Sequence, residues 1–291
     1  MFSASDVKSL REKTGAGMLD CKKALDECEG SIEKAIDWLR EKGIAKAAKK
    51  SDRIAAEGLS QIYINGNKAV VLEINCETDF VAKNEEFKSV VDKIGEAILK
   101  NNATSNEEAL NIKVDNETVE DLIVGLSSKL GEKISFRRFT AATIKDGEYF
   151  GSYIHMGGRI ASLIAIEGGN SDVAREVAMH AAAMRPLYVN SSEVPETVLE
   201  REKEIMRQEL LNEGKPADKI DNILVGKVRK YYEEVCLENQ IFVKAENKET
   251  VGKYLENNGA KLLFMIRFEV GEGMEKRQDN FAEEVMNQIN G

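Results

Sequence analysis

Histidine is nearly absent from this chain: there are two, His155 and His180, in 291 residues. They lie far apart, with no cysteine or carboxylate at ligand spacing, so no metal site is expected. The cysteines number four, Cys21, Cys28, Cys76 and Cys236, and none forms a Cys-x-x-Cys pair. That is too few and too scattered for a disulfide framework, and it fits a reducing compartment, the cytoplasm. No apolar run approaches the ~20 residues that a membrane helix needs, and the longest, such as Leu262–Ile266, have the length of a core strand. The opening MFSASDVKSLREK lacks the apolar stretch of a secretory signal. Positive charge is not in excess: 41 basic against 51 acidic side chains leave a net charge of −10. This argues against a protein whose main work is gripping phosphate backbones. Neither G-x-x-x-x-G-K-[S/T] nor G-x-G-x-x-G occurs, so the chain is not expected to hold a nucleotide of its own, or any other cofactor. A Cys76–His pair would be the only conceivable nucleophile, and nothing supplies the third group to orient it. An interaction protein, rather than an enzyme, is the class that remains.

What is present is a foldable chain. Hydrophobic residues make up 42% and charged residues 32%, enough for a substantial core under a charged surface. The length suggests two domains at ~150 residues each. Ser3 and Asp6 give a start signal for a helix carrying Val7 and Leu10 that stops at Thr14-Gly15. A second helix runs from about Met18 to Cys28. Ser31 caps a third, with Ile32, Ala35, Ile36 and Leu39 on one face and Gly43 as its expected stop. Residues 44–53 (IAKAAKKSDR) read as a helical or flexible linker. Its Lys46, Lys49, Lys50 and Arg53 form either a solvated basic face or a binding patch.

An α+β core follows. Leu59–Ile64 and Lys68–Cys76 flank Asn65-Gly66-Asn67, a hairpin signal. A helix over Glu85–Lys100 places Phe87, Val90, Val91, Ile94 and Ile98 on one face, and Thr118–Lys129 predicts another helix before a strand over Lys133–Ile144. The pattern then returns. Tyr149–His155 and Arg159–Ile166 form a second hairpin, with a helix over Asp172–Met184 behind it. SQIYINGNKAVVLEI and GSYIHMGGRIASLIAI share the order aromatic-Ile, Gly turn, basic residue, apolar run. The chain therefore contains two related antiparallel hairpin-plus-helix subdomains. From Pro195 to about Glu234 two charged amphipathic arms, broken at Asn212–Pro216, suit a helical coiled-coil hairpin projecting into water. A helix over Thr250–Asn257, a strand over Ala260–Val270 and a terminal helix over Asn280–Ile289 complete the chain.

The two copies differ in the connection from strand to helix. The second uses Glu167–Ser171, whereas the first uses the longer Glu77–Asn84, containing Thr78-Asp79-Phe80-Val81. Phe80 and Val81 could simply tuck under the sheet, with Asn84 capping the next helix. The alternative is a protruding Asp-Phe wedge, an apolar ring that enters a partner's crevice beside a carboxylate.

Four stretches decide how the whole is read: VKSLREKTGAGMLDCKKAL (Val7–Leu25), NCETDFVAKN (Asn75–Asn84), GSYIHMGGRI (Gly151–Ile160) and RFEVGEGMEK (Arg267–Lys276). With these the chain resembles the bacterial translation elongation factor Ts family over essentially its full length. It departs at Leu19, where the family often has a second Met, and at Ala161-Ser162, where Gly-Val is common. The resemblance implies four parts: an N-terminal ubiquitin-associated-like bundle with linker (1–54), a first core subdomain (55–140), a second (141–270, with the hairpin inserted at about 190–234), and a C-terminal helical module (271–291). It implies guanine nucleotide exchange on elongation factor Tu, in its GDP-bound and nucleotide-free forms, without a membrane or nucleic acid, and it admits a homodimer in a 2:2 complex. It also implies that Thr78, Asp79, Phe80 and Val81 act in dislodging the partner's Mg²⁺. Leu10, Met18, Lys22, His155, Met179 and His180 are secondary contacts on this reading. The rival readings are an RNA-associated protein using the 44–53 run, which the net charge and the lack of interleaved aromatics oppose, and a generic adaptor built on the N-terminal bundle.

Overall fold

Ser3 and Asp6 close the first helix by exchanging hydrogen bonds: the Ser3 amide and hydroxyl donate to Asp6 Oδ2 at 2.7 and 2.8 Å, and the Asp6 amide donates to Ser3 Oγ at 3.3 Å. This is the reciprocal cap that the S-x-x-D spacing predicts. It opens a computed structural model that describes residues 2–14 and 16–275. The expected helix over 280–289 and nearly all of the 271–291 module lie outside the described residues. Helix α1 (Ala4–Thr14), α2 (Met18–Glu27) and α3 (Ile32–Ala48) enclose Val7, Leu10, Cys21, Ala24, Leu25 and Ala35. Ser31 Oγ caps α3 by accepting from the Lys34 amide.

Gly43 does not end α3, contrary to expectation; the helix continues to Ala48 and absorbs half of the linker. A Cβ placed on the buried Gly43 would lie 3.7 Å from Ser128 Cβ. That is an ordinary contact distance, and the packing of the helix on that segment overrides glycine's poor helix propensity. The basic run is not simply solvated either. Lys50 is buried, with Nζ donating to the Ser127 carbonyl at 2.7 Å, and Arg53 pairs with Glu77 at 3.2 Å.

The first hairpin is β1 (Glu57–Asn65) and β2 (Lys68–Cys76), turning through Gly66 at φ +58°. A single helical turn, α4 (Asp79–Ala82), precedes α5 (Glu85–Asn101). Then come α6 (Asn106–Asn111), the two-residue antiparallel strands β3 (Lys113–Val114) and β4 (Glu117–Thr118), α7 (Val119–Leu130) and β5 (Ser135–Thr143). The sheet runs β1-β2-β5. Every residue of β2 after Lys68 is buried, so its apolar stretch reads as continuous rather than alternating. Its Leu72 and Ile74 pack with Phe87, Val91, Ile94 and Ile98 of α5.

The second copy pairs β6 (Glu148–His155) with β7 (Ile160–Gly168) in antiparallel register from Glu148↔Glu167 to His155↔Ile160, and α8 (Ser171–Met184) packs on both. The chain continues through α9 (Glu196–Asn212), α10 (Ala217–Val235), α11 (Val251–Asn257) and β8 (Ala260–Glu269), giving a sheet β6-β7-β8. Helices α9 and α10 form the expected hairpin. Leu210, Ile220 and Leu224 are buried, and the ion pairs Arg207–Asp221 and Lys227–Glu209, both 2.9 Å, bridge the two arms.

Each copy needs one glycine where helix meets sheet, in opposite places. In the first it is Gly95 on the helix, where a Cβ would lie 2.0 Å from the Tyr63 ring. In the second it is Gly151 on the strand, where a Cβ would lie 2.0 Å from the Ala174 carbonyl carbon.

The described residues divide into two compact units, one of residues up to 63, 70–141 and 268–275, the other of residues 64–69 and 142–267. A buried carboxylate ties the returning chain into the first. Glu73 of β2 has no solvent exposure and accepts from Arg137 Nη1 (2.8 Å), Arg138 Nε (2.7 Å), Asn75 Nδ2 (3.1 Å) and the Gly271 amide (2.9 Å). The Arg138 guanidinium also lies 4.1 Å from the centre of the Phe268 ring. Among the described residues no helix is long and apolar enough to cross a membrane.

Candidate partner-binding site

Strand β2 delivers the chain into the long connection at Cys76. The buried Cys76 Sγ donates to the Thr78 carbonyl at 3.1 Å. Burial pushes this thiol up to about 12, so it stays protonated and inert. Thr78 is extended (φ −128°, ψ 155°) and its hydroxyl accepts from the Val81 amide, which starts the one-turn helix α4. Ala82 is buried and Val81 packs against the core, so one face of α4 is anchored. The other face carries Asp79 and Phe80. Asp79 binds Lys83 Nζ at 2.6 Å, and this bond holds its carboxyl below the usual range. Phe80 is 82% exposed, more than any other aromatic ring among the described residues.

Glu132, just past the end of α7, braces the start of this turn. Its Oε2 accepts from the amides of Glu77 and Thr78, each at 3.0 Å, and its Oε1 from the Thr78 hydroxyl at 2.5 Å. Glu77 returns the contact by accepting from the Lys133 amide at 2.5 Å. Asn84 then caps α5, its Oδ1 accepting from the amides of Glu86 (2.8 Å) and Phe87 (3.3 Å). Two expectations thus coexist: Val81 tucks under and Asn84 caps, while Phe80 stands in water.

Residues 77–272 match the family model described as Elongation factor TS. The chain belongs to the elongation factor Ts family. Elongation factor Ts proteins are nucleotide exchange factors that partner elongation factor Tu in protein synthesis, without covalent chemistry of their own. The matched span contains the whole Thr78–Val81 segment, Glu77, Glu132 and the entire second hairpin, whereas α1–α3 and the first hairpin up to Cys76 precede it.

The other residues singled out in this elongation factor Ts chain fall into two groups. Met18 and Lys22 are exposed on α2, and Leu19 between them, which departs from the family pattern and is not among the expected contacts, is 85% exposed. His155 is exposed at the end of β6, stacked on Tyr153 and next to the exposed Met156. Met179 is half-buried on α8. Leu10 and His180 must be corrected, because neither presents a surface. Leu10 is fully enclosed in the three-helix core. His180 is fully buried, its Nδ1 accepting from the Val243 amide at 3.1 Å and its Nε2 facing Gln240 Oε1 at 3.0 Å. Gln240 in turn donates to the carbonyls of Met184 and Glu234, so this histidine ties α8 to the end of α10.

That arrangement admits only the neutral imidazole, since one ring nitrogen accepts and the other donates. Burial accordingly lowers the His180 pKa, outweighing the Gln240 contact. The unfolded chain takes up the proton near pH ~6.5, while the folded chain resists it. The stability contributed by the neutral ring is therefore complete above that value and is lost as pH falls below it. Melting temperatures recorded from pH 7.5 to 5.5 should decline, and His180→Gln should flatten the decline. An unchanged slope in the variant would show that the ring carries none of it.

Proposed function

We propose that this chain frees GDP from elongation factor Tu by inserting Phe80 between elements of the GTPase that position its Mg²⁺ ligands. The observation that carries this reading is a phenyl ring held 82% exposed on a turn whose opposite face is anchored in the core. A large apolar side chain kept in water on a braced support is suited to burial in a partner. GDP in such a GTPase is held by backbone amides, a lysine and Mg²⁺, and loss of the metal removes the largest countercharge to the phosphates. The factor need not touch the nucleotide. Its effect equals its preference for the nucleotide-free form. By reciprocity, weakening GDP ~100-fold corresponds to about 2.7 kcal/mol of coupling, and entering nucleotide weakens the factor equally and expels it. Met18, Leu19 and Lys22 on α2, and His155 with Met156 at the end of β6, are the surfaces we assign to secondary contact. In addition, Met179 serves through its exposed part.

Release of a fluorescent GDP from elongation factor Tu tests this. The chain should accelerate release strongly in millimolar Mg²⁺ and far less once a chelator has already removed the metal. Equal acceleration in both conditions would overturn the Mg²⁺ route.

A further inference from the structure

A four-residue helix has no stability of its own, because nucleation is costly and only a bond or two is gained in return. The direction in which α4 aims Phe80 must therefore be set from outside the turn. We infer that Glu132 is the positioning residue of the Phe80 wedge, an inference that rests on the function proposed above. Its carboxylate takes three donors at the point where α4 begins: the Glu77 and Thr78 amides and the Thr78 hydroxyl. The Thr78 hydroxyl can then point its hydrogen at Glu132 while its lone pair accepts from the Val81 amide, so one side chain joins the brace to the wedge turn.

Glu132 is itself held. Its carbonyl accepts from Ser127 Oγ at 2.6 Å, and the Ser127 carbonyl accepts from the buried Lys50. Glu77 closes the circuit through the Lys133 amide and Arg53, and Lys133 Nζ reaches the carbonyls of Ser51 (2.6 Å) and Arg53 (3.0 Å). The strand end, the α7–β5 turn and the segment leaving the N-terminal bundle thus share one polar lattice, and Glu132 is the member that touches the wedge turn. Charge-assisted bonds to backbone amides are strong and directional, which suits holding a loop in one pose. In the free protein this pre-organises the ring, so that its insertion as the nucleotide loosens need not first order it.

The test is a double-mutant cycle on GDP release, with Phe80→Ala and Glu132→Ala alone and together, read as maximal rate and as half-saturating concentration of the factor. Glu132→Ala should lower the maximal rate about tenfold, since misplacing a decisive group by around an ångström costs up to ~100-fold. The half-saturating concentration should change little. In the Phe80→Ala background, Glu132→Ala should add almost nothing, because there is no ring left to aim. Glu132→Gln keeps one acceptor for the two amides and offers a donor to the Thr78 hydroxyl, so it should recover most of the rate. Amide hydrogen exchange in the free chain should quicken at residues 77–82 in Glu132→Ala and stay as in the wild type elsewhere. Equal losses in both backgrounds, or exchange raised throughout the unit, would make Glu132 a general stabiliser and overturn the inference. Should Glu132→Ala not fold, Thr78→Val carries the same cycle, and additivity with Phe80→Ala would be the refutation. Wild-type release by Phe80→Ala itself would instead sink the wedge reading, a result distinguishable from failure of the brace alone.

Discussion

Phe80→Ala should slow GDP release from elongation factor Tu about a hundredfold while leaving the chain's own unfolding almost unchanged. The ring is 82% exposed, so removing it takes little from the core. On docking, a phenyl group buries on the order of 150 Å², which at ~25 cal/mol per Å² is roughly 3 kcal/mol or more, a hundredfold in rate if the contact is made only as the nucleotide loosens. Asp79→Ala should cost less. Its carboxylate is exposed and already paired with Lys83, and such charges are screened by salt, whereas a buried ring is not. Stopped-flow release at two salt concentrations measures both variants. The Asp79 effect should shrink at the higher salt and the Phe80 effect should persist. Wild-type rates in Phe80→Ala would remove the wedge from the mechanism.

Glu73→Ala should be the most damaging substitution for stability in the first unit, lowering the unfolding free energy by about 3 kcal/mol or more. The variant deletes the acceptor for two guanidinium groups, an amide side chain and the Gly271 backbone at once. Arg137 and Arg138 are 22% and 31% exposed at their side chains and can turn partly to water, which keeps the cost near the lower end of the range for a broken buried pair. The segment from Phe268 to Glu272 should loosen first, since it meets the sheet through this hub. Urea unfolding followed by circular dichroism gives the magnitude, and proteolysis near Glu272 gives the order of events. A midpoint within experimental error of the wild type would mean that the hub contributes no net stability.

Much of the scaffold was legible because its signals are local. The caps at Ser3, Ser31 and Asn84, the turn at Asn65-Gly66 and the 3.6-residue spacing of Phe87, Val91, Ile94 and Ile98 each act within a few residues of chain. The same locality exposed the repeat, and with it the surplus connection that points to Phe80. Gly43 misled for the complementary reason. Its stop tendency is local, but Ser128, which favours continuation, lies far along the chain. The basic run misled likewise, since the partners of Lys50 and Arg53 are Ser127 and Glu77. Leu10 and His180 stood in suggestive stretches, yet whether a side chain faces a core or a partner depends on what packs over it.

The amino-acid sequence by itself determined the α+β order, the two hairpin-plus-helix copies, the charged helical hairpin and the extra segment carrying Thr78–Val81. These follow from periodicity and turn chemistry between near neighbours. Only the tertiary structure decided that Val81 goes inward while Phe80 stays in water, that Glu132 braces the turn between them, and that Glu73 gathers Arg137, Arg138 and Gly271. Those outcomes depend on groups 50 to 200 residues apart meeting at hydrogen-bond distance, and a carboxylate in a sequence does not reveal which distant donor it will satisfy.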